Sequence, residues 1–350
     1  MVSAHSKAAR TIARDVRGKH FVVTGANTGI GYVTARELAK MGGKVTMACR
    51  SAERGKNAID KLRQEALAKP VEQGTALLEG LQDVDVRLEI LDLSSLHSIV
   101  SFSRRLKEAG SRVNVLINNA GVMGFPERME TIDGFEMQMG VNHFGVHLLT
   151  RLMEPLIADG GRVLFTSSGA HVQAPTLPPT TIDWENINFE KPGSYNRWAA
   201  YGRSKLGNVL DAKEFTKRLA GRGINVYAVD PGFVHTDILR NMTDGSFTSR
   251  MTRILAPVTK YLIPPALKGA LTTLRCAVDP ALESPELSGR YWHGMKEEPA
   301  SELASDPAIS PRYWKVTEDI LEAKLGKRVD ELIEQLATSK GLSGILHCGG

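Results

Sequence analysis

Hydrophobic and polar positions follow two rhythms along this chain. Short β-branched and apolar runs recur at His20 to Thr24, Lys44 to Cys49, Val86 to Leu91, Val113 to Ile117, Arg162 to Thr166 and Ile224 to Val229. Their near-continuous apolar character predicts strands buried on both faces. Between them lie longer stretches with helical spacing: Ile30 to Lys40, Ala52 to Ala68, Leu96 to Ala109, Gly134 to Leu156 and Trp198 to Ala220. Each can return the chain to a parallel neighbour, so the pattern predicts an α/β fold with a Rossmann-type doubly wound parallel sheet.

The segment Lys69 to Asp85 lengthens the second crossover and, with Pro70, Gly74 and Gly80, reads as a surface excursion. After the sixth strand the pattern changes. Asn241 to Leu262 is mixed, Pro264 to Ala277 is helical and Ser288 to His293 forms a last strand, a region expected to build the substrate side. Pro311 to Ser339 reads as one or two amphipathic helices on the domain edge. The organisation expected is a flexible segment over 1–17, a single domain over 18–310, and a C-terminal helical extension and tail over 311–350.

A chain of 350 residues with 42% hydrophobic content can bury one large core. No apolar run approaches the ~20 residues a membrane-spanning helix needs, and the mean hydropathy is -0.17, so a soluble protein is expected. The net charge is +5 and the pI near 9.0, but the charges are interspersed without a basic block, which argues against a nucleic-acid partner. A positive field instead suits an anionic ligand. Cys49, Cys276 and Cys348 are too scattered for a disulfide framework and fit a reducing, cytoplasmic setting. The basic start around Lys7, Arg10 and Arg14 has a faint likeness to an organelle-targeting segment, although a short disordered start is the simpler reading. His143, His147, His171 and His235 lack a metal-ligand pattern, so no metal is expected.

Chemistry concentrates where the predicted strands end. The first runs into Gly25, Ala26, Asn27, Thr28, Gly29, Ile30 and Gly31 and then into a helix, the setting in which N-terminal amides meet a pyrophosphate. Gly25 permits the tight turn, Gly29 lets backbone approach phosphate, and Gly31 allows helix to pack on strand. An NAD enzyme places a carboxylate after the second strand to bind the ribose 2′-hydroxyl. Here Cys49 and Arg50 stand there, with Arg54 following, so a planar cation is offered to a 2′-phosphate and NADP(H) is the expected cofactor. Asp92 and Leu93 end the third strand, where a short polar side chain can bond the adenine edge. Asn118, Asn119, Ala120 and Gly121 end the fourth, on the ligand-binding edge of such sheets, although Asn and Gly also simply make turns.

Tyr201 and Lys205 stand one helical turn apart on a shared face, where an ammonium favours the phenolate and readies it for proton transfer. Ser168, at the end of the fifth strand, can bond a substrate oxygen beside Tyr201. Asn142 either holds a water that links Lys205 to solvent or is a packing amide satisfied by backbone. Ser168, His171 and Asp183 could be imagined as a hydrolase triad, but the G-x-S-x-G elbow is missing.

With TGANTGIG at Thr24, ACRS at Ala48, LDLSSL at Leu91, NNAG at Asn118, VNHFG at Val141, SSGAH at Ser167, YGRSK at Tyr201, VYAVDPGFVHT at Val226 and SGRYW at Ser288, the chain resembles the short-chain dehydrogenase/reductase family. Within it, the retinol dehydrogenase and WW-domain oxidoreductase group is the nearest. The resemblance implies a tetrad of Asn142, Ser168, Tyr201 and Lys205, in which Tyr201 exchanges a proton with the substrate oxygen and Lys205 also bonds the nicotinamide ribose. It further implies that Pro231, Gly232 and Thr236 line the nicotinamide and that Arg50 carries the NADP preference. The substrate class implied is a lipophilic, retinal-like or steroid-like carbonyl or its alcohol. Trp184, Tyr195, Trp198 and Met242 to Leu262 are candidates to wall its pocket. Membrane-bound members carry an N-terminal hydrophobic anchor that this sequence does not show, and no WW domains precede the fold. Peripheral contact with a lipid surface near Met251 to Ile263 and a homodimer are compatible with the sequence, as is a rival in which the same fold binds NADPH as a sensor without turnover.

Overall fold

The computed structural model describes residues 8, 11–67, 82–173, 182–232 and 266–338. Its elements are β1 (His20–Thr24), α1 (Gly29–Lys40), β2 (Lys44–Cys49), α2 (Ala52–Leu67), β3 (Val86–Ile90), α3 (Leu96–Glu108) and β4 (Val113–Asn118). A helical turn α4 (Met137–Met139), a π-helical turn (Gly140–Phe144) and α5 (Gly145–Met153) lead to β5 (Ile157–Thr166). Then come α6 (Ala170–Gln173), α7 (Arg197–Leu219), β6 (Asn225–Asp230), α8 (Ala266–Val278), β7 (Tyr291–His293) and β8 (Lys296–Glu298). The described chain ends with α9 (Glu302–Ser305), α10 (Ile309–Leu325) and α11 (Val329–Thr338).

One sheet runs β3-β2-β1-β4-β5-β6-β7-β8, parallel throughout except for the last pair. The chain order reverses between β1 and β4, and there the carboxyl ends of the strands open a crevice. β1 and β6 are buried along their whole length, as expected of strands covered by helices on both faces. Two apolar clusters form these layers, one joining the sheet to α3, α5, α7 and α10, the other joining it to α1, α2 and α8.

Departures from the sequence pattern have local causes. β5 begins at Ile157, before Arg162, because Asp159-Gly160-Gly161 disguises its first half. The register jumps from Val113 opposite Ile157 to Val115 opposite Arg162, with Gly160 at φ 70°. The helix expected over Gly134 to Leu156 is broken into α4, the π turn and α5. Gly145 is pressed so closely on the β3–α3 loop that a Cβ there would lie 2.4 Å from the Leu93 carbonyl oxygen. β7 turns tightly through Gly294 and Met295, both at positive φ, into an antiparallel β8 that the sequence pattern did not suggest.

Part of the segment 1–17 packs on the domain. Ile12 and Val16 are buried in the second cluster, and the Val16 amide donates to the Met41 carbonyl at 3.0 Å. The expected boundary at 310 falls inside α10, which begins at Ile309. The extension is also no edge decoration: Tyr313, Leu321, Val329 and Leu332 join the main core cluster. A polar lock holds it there. His147 pairs with Asp211 at 3.0 Å and with Glu318 at 2.7 Å, and Arg151 pairs with Glu318 at 2.9 Å. The Lys69 to Asp85 excursion lies mostly outside the described residues.

Candidate active site

The strand ends deliver the candidate residues in sheet order. Asp92 and Leu93 follow β3, Arg50 follows β2, Gly25 follows β1, Asn119 to Gly121 follow β4, Ser168 follows β5, and Pro231 and Gly232 follow β6. Residues scattered over 200 positions thus form one line along the crevice edge, because parallel strands place all their carboxyl ends on one side.

At the centre of that line the turns after β1 and β4 clamp each other. Thr24 Oγ1 accepts the Asn119 and Ala120 amides, each at 2.9 Å, and Asn119 Nδ2 donates to the Thr24 carbonyl at 2.8 Å. Gly25 and Gly29 have φ of 65° and 57°, the left-handed region that favours glycine. A Cβ on Gly31 would lie 2.4 Å from Asn119 Nδ2 and 2.6 Å from the Gly25 carbonyl oxygen. The Asn119 side chain is therefore spent on holding the turn, while its loop still forms the crevice wall. α1 starts at Gly29, preceded by the extended residue Thr28, and brings its positive N-terminal end to the crevice. Cys49, which the sequence pattern gave no role, receives the Ala26 and Asn27 amides on its sulfur, and burial pushes its thiol up to about 11.

Arg50 is exposed just beyond β2 and has no ion-pair partner among the described residues. The Asp92 carboxylate turns back on its own loop, accepting from the Ser94 amide at 2.9 Å and hydroxyl at 2.7 Å. Leu93 is buried against Gly145. At the other end Gly232, at φ 71°, donates its amide to Asp230 Oδ1 at 2.8 Å. Thr236 lies outside the described residues, as does Met242 to Leu262.

Asn142 sits in the π-helical turn, a local distortion that often marks functional sites. Its Oδ1 accepts the Val122 amide at 2.8 Å, and its Nδ2 donates to the Val122 carbonyl at 2.9 Å and the Ser204 hydroxyl at 3.0 Å. Both polar atoms of the side chain are thus held by protein groups. α7, capped by Asn196 accepting from the Trp198 amide at 2.9 Å, carries Tyr201 and Lys205 inward on one face. Lys205 Nζ lies 5.6 Å from the Tyr201 ring centre and donates to the Thr166 carbonyl at 2.9 Å. A Cβ on Gly121 would lie 3.4 Å from Lys205 Nζ, so the bare glycine brings the β4 loop against the ammonium.

Burial dominates the electrostatics of the pair. Burial pushes the Tyr201 phenol up to about 12, with Ser168 acting the other way. Lys205 itself is pushed down to about 8 by burial. Desolvation disfavours the charged form of each group, so it raises the phenol and lowers the ammonium.

His171 is buried beside Ser168, but its ring accepts the Ser301 amide on Nε2 at 3.0 Å and so donates Nδ1–H to the Ser168 carbonyl at 2.8 Å. Asp183 pairs with Lys191 at 3.1 Å. Neither is arranged to activate the Ser168 hydroxyl, which disposes of the hydrolase triad. Of the three aromatics, Trp184 packs on Tyr313 and under Arg312 of α10, Tyr195 donates to the Phe125 carbonyl at 2.9 Å, and Trp198 is exposed.

A doubly wound parallel sheet with a glycine turn at its switch point defines a dinucleotide-binding fold. The family described as enoyl-(acyl carrier protein) reductase matches residues 25–178. Human retinol dehydrogenase 13 is 39% identical over 302 residues, covering 85% of this chain and 83% of that protein. Human retinol dehydrogenase 12 is 37% identical over 306 residues, covering 87% and 86%. Among solved structures, an uncharacterized protein from Mycobacterium Paratuberculosis superposes with a TM-score of 0.63 at 29% identity, over 91% of this chain and 97% of that one. The angucycline C-6 ketoreductase LanV with bound NADP gives a TM-score of 0.54 at 21% identity, over 80% and 95%, a likeness of fold. The chain belongs to the short-chain dehydrogenase/reductase family of oxidoreductases, with retinol dehydrogenases 11 to 14 among its relatives at 35–39% identity. No described helix is long and apolar enough to cross a membrane.

Proposed function

We propose that this chain is an NADP(H)-dependent oxidoreductase that interconverts a lipophilic aldehyde or ketone and its alcohol, with Tyr201 as the acid and base. The observation that carries this reading is that α7 buries Tyr201 with Lys205 one turn on, its Nζ 5.6 Å from the phenol ring centre, at the carboxyl edge of the sheet where β5 delivers Ser168. The retinol dehydrogenase names of its relatives support the substrate class.

The residues present fit the cofactor. Gly25, Asn27, Thr28, Gly29, Ile30 and Gly31 offer a turn free of obstructing side chains and a helix N-terminus to the pyrophosphate. Arg50 offers a cationic fork to the 2′-phosphate, Asp92 and Leu93 flank the adenine, and Asn119 to Gly121 with Pro231 and Gly232 flank the nicotinamide end, to which the family resemblance also assigns Thr236. When bound, the nicotinamide supplies or accepts the hydride. Ser168 donates a hydrogen bond to the substrate oxygen, and Tyr201 delivers its proton to that oxygen as negative charge develops there. With its phenol pushed up to about 12, Tyr201 holds its proton at neutral pH, which suits carbonyl reduction. Lys205 sets a positive charge beside the phenol, and Asn142 fixes the π turn behind it.

The test is NADPH oxidation, followed by absorbance, across a panel of aldehydes and ketones. Turnover by the wild type that Tyr201→Phe abolishes, with NADPH affinity nearly unchanged, is the expected result. Cofactor binding with no turnover of any carbonyl would overturn this reading in favour of a sensor.

A further inference from the structure

The chemistry above leaves one buried carboxylate beside Tyr201 and Lys205 without a role. β6 ends at Asp230, and side chains alternate along a strand, so Asp230 shares a face with Ala228. Ala228 belongs to the cluster under α7, whereas Val229 belongs to the opposite one. Asp230 therefore projects on the side from which α7 brings in Tyr201 and Lys205. The neighbouring strand end is equally close: Thr166, whose carbonyl holds Lys205 Nζ, is the partner of Val229, and a Cβ on Gly169 would lie 3.7 Å from Asp230 Oδ2.

Asp230 is only 5% exposed, yet its carboxylate is fully engaged. Tyr291 donates its hydroxyl to Oδ2 at 2.7 Å, the Gly232 amide donates to Oδ1 at 2.8 Å, and His293 Nδ1 lies 3.3 Å from Oδ2. The Tyr291 ring packs in turn on His171, 4.7 Å between centres, and His171 holds the Ser168 carbonyl. A carboxylate is rarely buried unless a charge answers it.

We propose that Asp230 is a positioning residue of this site, a carboxylate that ties the end of β7 to the Ser168 turn and whose negative charge balances the buried Lys205 ammonium. This rests on reading Tyr201 and Lys205 as the reacting pair. The titratable groups facing Asp230 are Tyr291 and His293 from β7, His171 from α6, and Tyr201 and Lys205 from α7. Burial lowers Lys205, and Asp230 is the charge that opposes the fall; the same charge adds to the burial that keeps the Tyr201 phenol protonated. Both effects favour a protonated pair, the state that reduces a carbonyl.

The test titrates Lys205 directly. In protein labelled with 13C at the lysine ε-carbon, with the resonance assigned through Lys205→Arg, the wild-type midpoint near 8 should fall by about one pH unit or more in Asp230→Asn. An unmoved midpoint overturns the proposal. Tyr291→Phe, which removes a hydrogen bond and keeps the charge, should leave the midpoint in place; an equal fall there would overturn the role of the charge. Asp230→Ser, equally neutral, repeats the titration if the asparagine variant does not fold. In NADPH-dependent reduction the alkaline limb of kcat/KM should move about one unit toward acid in Asp230→Asn, roughly a tenfold loss above the limb. A loss equal at every pH would mean a structural role only and overturn the proposal. If the wild type reduces no carbonyl, the functional reading falls, while the Lys205 titration still decides for or against Asp230.

Discussion

Glu318→Gln tests whether the C-terminal extension is held by charge. Glu318 accepts from His147 Nε2 at 2.7 Å and Arg151 Nε at 2.9 Å, and the three side chains are 13%, 0% and 2% exposed. Burial alone would lower His147, but the Asp211 and Glu318 carboxylates on its two ring nitrogens hold it up to about 9. Burial would raise Glu318, but His147 and Arg151 hold it down to about 2. The signs define a window. A histidine raised from 6.5 contributes stability that is complete below 6.5 and lost as pH rises through 9. A carboxylate lowered from 4.5 contributes above 4.5 and loses it as pH falls through 2. His143 opposes the first at low pH: burial pushes it down to about 4, so its contribution is lost as pH falls from 6.5. The lock is therefore strongest near pH 6.

Each shift corresponds to about 3 kcal/mol, and because the two describe one interaction from its two ends they are not added. Glutamine keeps the shape and one acceptor but removes the charge. We expect a loss of about 2 to 3 kcal/mol at pH 6, shrinking by about 1 kcal/mol at pH 9.5, where His147 has lost its proton and only the Arg151 pairing remains to be lost. Urea denaturation of both proteins at the two pH values measures this. A loss under about 0.5 kcal/mol at both, or one that grows with pH, would refute the reasoning.

Gly31→Ala should cost about 2 to 4 kcal/mol and weaken NADPH binding at least about tenfold, since its Cβ would meet Asn119 Nδ2 at 2.4 Å and break the clamp on Thr24. Thermal melting and a fluorescence titration read both, and unchanged values would show that the clamp yields without cost. Arg50→Ala should raise the Kd for NADPH about tenfold and that for NADH less than twofold, because only the former offers a 2′-phosphate. Equal changes for the two cofactors would exclude that role.

Much of this design is written in local pattern. β1 and β2 lie where the apolar runs put them, because a strand buried on both faces leaves no polar alternate and a glycine turn or a charged residue ends it. Tyr201 and Lys205 share a face because the helical repeat demands it, and the glycines of the first turn were legible because φ near 60° suits few other residues.

Other features depended on which elements meet. The start of β5 and the hairpin into β8 were hidden because Gly160, Gly161 and Gly294 read locally as loop, and only strand pairing makes them part of a sheet. The π turn at Asn142 arises where Gly145 is forced onto the Leu93 carbonyl, a contact across 52 positions of sequence. Sequence placed an ammonium one turn from a phenol, yet the direction in which the phenol's acidity moves was set by burial, which exists only once α7 lies on the sheet. Asp230 had no reading in the sequence and His171 only that of a triad or metal candidate, until the order of the strands put one near Lys205 and the other against the Ser168 carbonyl. Spacing along the chain fixes what a single helix or strand presents, and tertiary packing alone fixes which charges are taken out of water together.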